Sequence, residues 1–186
     1  CIDSLLARNP ALDPAEVDDV MVGAARQIGE QSANVARYAV ALSKLPITVS
    51  AATISRACSS GLNAIAIAAT QIMSGCGDIA IAGGVESITG LERGTPAKFD
   101  EHPRLLAEKP AIFMAMGNTA EVVARRYNVT REQQDLYALQ SQQRYAAAVA
   151  AGHIADEIAP MTVDWLKLMN KDTKETAIVQ GTVDRD

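Results

Sequence analysis

The residues most able to do chemistry stand together in Ser55-Arg56-Ala57-Cys58-Ser59-Ser60-Gly61-Leu62-Asn63-Ala64. A β-rich run from Ile47 to Ile54 leads into this stretch, and an apolar run from Leu62 to Met73 leads out of it. The pattern predicts a cysteine at a strand-to-helix junction, at the first turn of a helix. The first amides of a helix have no intrahelical partner, and the helix dipole is positive there. That setting favours an anion, which is the reactive form of a cysteine nucleophile. The small residues Ser59, Ser60 and Gly61 would leave room for a substrate. A buried, inert structural thiol is the competing reading of Cys58.

The elements that must hold this cysteine follow from the apolar pattern. Ile2, Leu5 and Leu6 read as a helix stopped by Asn9-Pro10. Asp13-Pro14-Ala15-Glu16 is a helix start good for a turn or so. Val17 to Val22 reads as a strand. Ser32 or Asn34 caps a helix through Leu42, with Val35, Ala36, Ala39, Val40 and Leu42 on its apolar face. Leu45-Pro46 breaks it, and the strand delivering Cys58 begins at Ile47. The helix after Cys58 is apolar nearly all round, which predicts burial between layers. Ile79 to Ala82 follows as a strand covered on both faces. Helices alternating with strands give an α/β fold with a layered sheet.

The texture changes after Ser87. Residues 88–112 are rich in Pro, Gly and charge and read as a long surface loop region. Thr119 to Tyr127 reads as a short helix. Thr130-Arg131-Glu132-Gln133 is a capping box opening a long helix, with Leu136, Leu139, Tyr145 or Ala146, Val149 and Ala150 as its buried stripe and Gly152 as its end. Asp156 to Val163 reads as an exit into an edge strand, and the rest, from Leu166, as polar and irregular.

Composition narrows the function classes. Of 186 residues, 48% are hydrophobic but only 4% aromatic, so the core must be packed with aliphatic and small side chains. The net charge is −5 with no basic patch, which argues against nucleic acid as the main partner. No apolar run reaches membrane-spanning length uninterrupted. Cys1, Cys58 and Cys76 form neither a disulfide framework nor a zinc motif, and they fit a reducing, cytoplasmic setting. The chain opens in the middle of an amphipathic pattern without Met, which suggests a piece of a longer protein.

Four blocks carry a resemblance. Arg56 to Ala64, Asp78-Ile79-Ala80-Ile81-Ala82-Gly83-Gly84-Val85-Glu86-Ser87, Met116-Gly117-Asn118-Thr119-Ala120-Glu121, and Thr130 to Pro160 occur in the order found in thiolases, and the chain resembles that family over nearly its whole length. The Cys-Ser-Ser-Gly-Leu form and His102-Pro103-Arg104-Leu105 resemble the degradative 3-ketoacyl-CoA thiolases more than the acetoacetyl-CoA-forming branch. The resemblance implies a partial layered αβα fold, its mixed sheet lacking the first and fifth strands, with residues 1–88 as part of the N-terminal core domain and 89–186 as part of the loop (lid) domain. It implies thiolytic cleavage of 3-ketoacyl-CoA to acetyl-CoA and a shortened acyl-CoA. Cys58 would be the nucleophile that carries the acyl thioester, its backbone amide forming part of the oxyanion hole. Met116 would line the substrate end of the pocket, simple lid packing being the alternative. Coenzyme A would be a co-substrate, with no bound cofactor and no metal. The partners would be acyl-CoA, CoA and a second copy, as a homodimer or a dimer of dimers.

Other expectations rest on the same resemblance. Gly83 and Gly84 would be a packing requirement, and Glu86 either a buried hydrogen-bonding group or a surface charge. The family's activating histidine and second catalytic cysteine lie in Gly-His-Pro and Cys-x-Gly motifs, and this chain has neither. His102, His153, Cys1 and Cys76 match none of those roles. A ketoacyl synthase is disfavoured by the block beginning at Met116. A non-catalytic acyl-CoA-binding or scaffold protein stays open, as does the biosynthetic direction. The implied sheet order, three-two-one-four-five, would leave the first and fifth strands outside this chain. A gap would then separate the strands near Val17–Val22 and Ile79–Ala82, and the chain would be poorly folded and inactive by itself.

Overall fold

The computed structural model describes residues 1–88, 101–169, 173 and 176–184. The chain falls into two compact units, Cys1–Phe99 and Asp100–Asp186. The first carries the parallel sheet. Helix α1 (Ile2–Arg8) ends where the Asn9 side-chain amide donates to the Leu5 carbonyl at 2.9 Å. Asp13 accepts from the Ala15 amide at 2.9 Å and caps a single turn, Pro14–Glu16. Strand β1 (Asp19–Gly23) follows, then α2 (Val35–Leu42), β2 (Ser50–Ile54), α3 (Ser60–Met73) and β3 (Ala80–Gly84).

Asn34, rather than Ser32, caps α2. Its Oδ1 accepts from the Arg37 amide at 3.2 Å and from the Thr53 hydroxyl at 2.8 Å, and its Nδ2 donates to the Ala51 carbonyl at 2.9 Å. One side chain thus fixes both the helix start and its seat on β2. The chain from Ile47 does not run straight into a strand. Val49 N–H donates to the Pro46 carbonyl at 3.0 Å in a turn, so β2 starts only at Ser50. Leu42 is 87% exposed, because α2 buries Ala36 and Val40 and a residue two positions beyond Val40 falls on the opposite face, while Leu45, past the helix end, is buried.

The sheet corrects the expected gap. Its order is β2-β1-β3, and β1 pairs in parallel with both neighbours. Asp19 to Gly23 lie opposite Ser50 to Ile54 on one side and Ala80 to Gly84 on the other. No strand stands between β1 and β3, and the backbone groups expected to be unpaired there bond to each other. Two cores flank it, as alternation along β1 demands. Val20 packs with Leu6, Val17, Val40, Leu45 and Val49 under α1 and α2. Met21 packs with Ala64 and Ala68 of α3. Helices on both faces of a parallel sheet give the layered αβα arrangement.

Helix α3 departs from expectation. Only Ser60, Ala64 and Ala68 are buried, while Leu62 is 72% and Met73 86% exposed. Among the described residues the sheet covers one face of the helix, and the rest of its apolar surface is open.

At the amino ends of the strands, Asp18 pins β1 to β3. Its carboxylate accepts from the Asp78 amide at 2.7 Å and the Ile79 amide at 3.1 Å, while its own amide donates to the Ile79 carbonyl at 2.9 Å. The bonds from Ile79 and then Asp78 hold its carboxyl below the usual carboxylate range. The folded form therefore releases this proton more readily than the unfolded chain. The stabilisation is complete above the ordinary value of about 3.9 and fades as pH falls through the folded value. Asp18→Asn should lower the melting temperature at neutral pH and shrink its decline on acidification below about pH 4. A melting-temperature difference from the parent that stays constant across that window would refute this.

The second unit contains α4 (Pro103–Glu108), a turn at Pro110–Phe113, α5 (Met116–Tyr127), α6 (Arg131–Ala150) and strands β4 (Met161–Leu168) and β5 (Thr176–Val183). The capping box is complete. Gln133 N–H donates to Thr130 Oγ1 at 3.2 Å, and Thr130 N–H to Gln133 Oε1 at 2.9 Å. The expected stripe on α6 is not buried: Leu136, Leu139, Tyr145 and Val149 are exposed among the described residues. The tail is not irregular either. β4 and β5 form an antiparallel pair from Met161↔Val183 to Leu168↔Thr176. Ala177, Val179 and Gly181 are half-buried and alternate with exposed Thr176, Ile178 and Gln180, the period of a one-sided strand. Of the expected loop region, Gly94-Thr95-Pro96 lies outside the described residues.

Candidate active site

The carboxyl ends of β1, β2 and β3 converge on the start of α3. Ligands bind at this end of parallel sheets, because helix amino ends point there. The turn between β2 and α3 is sharp. Ala57 has φ 45°, a left-handed conformation unusual for a residue with a side chain. The left-handed residue turns the chain sharply between strand and helix, and the next residue stands on that turn. Cys58 is that next residue, and it is exposed. It lies just before the cap residue Ser59, rather than inside the first turn of α3.

Two serines fasten the turn. Ser60 Oγ donates to the Ala57 carbonyl at 2.6 Å and accepts from the Arg56 amide at 2.8 Å. Ser59 Oγ donates to the Arg56 carbonyl at 2.9 Å. Ser60 is buried, so its role is to hold the backbone rather than to leave space. The first i→i−4 bond of α3 runs from Asn63 N–H to the Ser59 carbonyl at 2.9 Å, so the Gly61 and Leu62 amides precede the ladder.

Three glycines let these elements meet. A Cβ on Gly23 would stand 2.2 Å from the Ser60 carbonyl carbon, and one on Gly84 would stand 3.2 Å from the Gly61 Cα. Gly84 is thus a packing position, whereas a Cβ on Gly83 would meet nothing within 4 Å among the described residues.

A cavity of about 550 Å³ opens beside Cys58, walled by Ala57, Gly61, Gly84, Val85 and Ile88 with Arg26 and Glu86. That volume and mostly apolar lining suit an organic substrate. Glu86 combines the two readings: it is exposed, yet its carboxylate accepts from the Ala25 amide at 2.7 Å, the Arg26 amide at 3.3 Å and the Gln31 side chain.

The other candidates lie on other elements of the chain. Cys76 lies in the turn after α3, about 20 Å from Cys58 at the 1.5 Å rise of a helix. Met116 opens α5 in the second unit and is exposed. His102 and His153 are exposed in that unit, before α4 and after α6. Among the described residues no three His, Cys, Asp or Glu side chains converge as metal ligands would, and no helix is long and apolar enough to cross a membrane.

The family model described as "Thiolase, N-terminal domain" matches residues 1–184. The chain belongs to the thiolase family. It is 45% identical over 165 residues to a 3-ketoacyl-CoA thiolase of Bacillus subtilis, covering 88% of this chain and 41% of that protein. It is 42% identical over 174 residues to a beta-ketoadipyl-CoA thiolase of Escherichia coli, covering 86% and 43%. A beta-ketoadipyl-CoA thiolase of Acinetobacter baylyi is 40% identical over 179 residues, covering 87% and 44%. This thiolase chain therefore spans about two fifths of the length of these relatives.

The sequence carries only thin signals for the supporting residues. Gly23 closes an apolar strand, where glycine marks a close approach. Gln31 sits in a polar loop with nothing local to set it apart.

Proposed function

We propose that the whole protein is an acetyl-CoA C-acyltransferase that cleaves 3-ketoacyl-CoA with free CoA, and that Cys58 is its nucleophile. The observation carrying this is the exposed Cys58 on a strained turn at the carboxyl edge of the sheet, facing a mostly apolar cavity. The Cys58 thiolate attacks the C3 carbonyl carbon of the substrate. The C2–C3 bond then breaks, its electron pair stays on C2, and C2 takes a proton to leave as acetyl-CoA. The shortened acyl group remains on Cys58 as a thioester. The thiolate of CoA attacks that thioester, and Cys58 departs as a thiolate. Sulfur serves both steps because a thiolate is a good nucleophile and a good leaving group. Fixed amide donors near the start of α3, the Cys58 amide among them, stabilise the oxyanion.

In this reading Met116 lines the acyl and pantetheine end of the pocket, and residues 89–186 serve as the lid domain. Coenzyme A is a co-substrate, and neither a bound cofactor nor a metal takes part. The protein works in the cytoplasm as a homodimer or a dimer of dimers. A base for Cys58 and a second acid–base cysteine come from outside this chain.

The test is to trap the acyl-enzyme. Full-length protein mixed with acetyl-CoA, quenched and digested should carry an acetyl group on the peptide holding Cys58, and CoA should remove it. Acetylation spread equally over Cys58 and Cys76, or none at all, would support the non-catalytic binding reading instead.

A further inference from the structure

The first unit holds a buried amide side chain that the chemistry of Cys58 leaves unused. Gln31 is 2% exposed, and its Oε1 accepts from the Ser87 amide at 2.6 Å. Its Nε2 donates to the Arg26 carbonyl and to the Glu86 carboxylate. Glu86 in turn accepts from the Ala25 and Arg26 amides. Ser87 Oγ adds a bond to the Glu30 carboxylate at 3.0 Å. The segment leaving β1 is thus tied to the segment leaving β3, across about sixty residues of chain. Burying an amide is costly unless its polar atoms are paired, and here both are.

What the clamp joins is the wall of the Cys58 cavity. Ala25 and Arg26 stand on one side of the tie and Val85 and Glu86 on the other, and all four line the cavity. We propose that Gln31 and Glu86 are positioning residues for the Cys58 site. They fix the two wall segments against which the acyl group must stand when Cys58 attacks. The proposal rests on Cys58 being the nucleophile. Neither side chain takes part in bond making.

The test uses full-length enzyme with Gln31→Glu, Glu86→Gln and the exchange of both. Gln31→Glu sets two carboxylates against each other and removes both donations. An error of about 1 Å in such a wall is worth on the order of 10²-fold in kcat/KM. Gln31→Glu should therefore lose about that much in thiolysis. Iodoacetamide labelling of Cys58, with Cys76 as the internal reference, should change about fivefold in the same variant. The exchange restores a donor facing an acceptor and should recover about tenfold of the lost activity, the signature of a coupled pair.

Two results would overturn the proposal. One is a variant set with lowered melting temperature but with Cys58 labelling and kcat/KM close to the parent. The other is an exchange no better than Gln31→Glu. If Gln31→Glu does not fold, Glu86→Gln, which keeps shape and one acceptor, is judged on the same two readouts. Labelling needs no ketoacyl substrate. An enzyme that fails to thiolyse therefore refutes the proposed function, while the clamp is still decided by Cys58 reactivity.

Discussion

Cys58→Ala in the full-length protein should lower kcat/KM for thiolysis by about 10⁴-fold or more, with little change in stability. Without the sulfur there is no thioester, and C–C cleavage has no acceptor for the acyl group. Removing a covalent nucleophile costs far more than removing a residue that merely binds. Cys58→Ser keeps the shape but offers a poor nucleophile at neutral pH and a poor leaving group, so it should be nearly as inactive. The side chain is exposed, and the turn that presents it is fastened by Ser59 and Ser60 instead. The melting temperature should stay near that of the parent, since exposed substitutions usually fall within about 0.5 kcal/mol. Cys76→Ala, at the far end of α3, is the control and should leave kcat/KM unchanged. Steady-state thiolysis and thermal melts on the three variants settle the point. If Cys58→Ala kept a tenth or so of the parent rate, covalent catalysis through this residue would be refuted.

The sequence made Cys58 visible because its signals are local. A β-rich run, small residues and an apolar run lie within a few positions of it, and the element order follows from the same kind of pattern. The Thr130 capping box and the Asp13 turn are legible for that reason: donor and acceptor are within three residues of each other. The contacts that the sequence hides are non-local. Gln31 acts on Ser87, 56 positions away, and Gly23 acts on Ser60. Strand neighbours are equally non-local. Nothing along the chain shows that β3 lies directly against β1, and the inherited sheet order put a gap there. The exposed apolar faces of α3 and α6 misled for another reason. Periodicity marks surface that can be buried, and a covering surface is a separate requirement. Strand β5 is hard to see in the sequence because Thr, Gln and Gly dilute its alternation, although its β-branched residues are a usable sign.

Gly23→Ala should be the most damaging single methyl in the first unit. The added Cβ would stand 2.2 Å from the Ser60 carbonyl carbon, 2.3 Å from its oxygen and 2.4 Å from the Gly61 nitrogen. All three are backbone atoms, so no side chain can rotate away. Ordinary carbon contacts begin near 3.5 Å, so α3 must retreat from β1 by about 1.3 Å at its first turn. That retreat strains the contact between Gly61 and Gly84 and loosens Ala64 and Ala68 from Met21. It also moves the serine that fastens Ala57 and Arg56, and with it Cys58. Overpacking costs are typically 1–3 kcal/mol, and a backbone-only clash belongs at about 3 kcal/mol or above. Whatever folded enzyme remains should lose about 10²-fold in kcat/KM through misplacement of the thiol. Gly83→Ala is the matched control, because its Cβ would enter open space among the described residues and add only helpful backbone restriction. Denaturant unfolding of both variants, with thiolysis on the folded protein, separates the cases. Equal stability for the two would mean that β1 and α3 are not in the close contact that places Cys58 at the sheet edge.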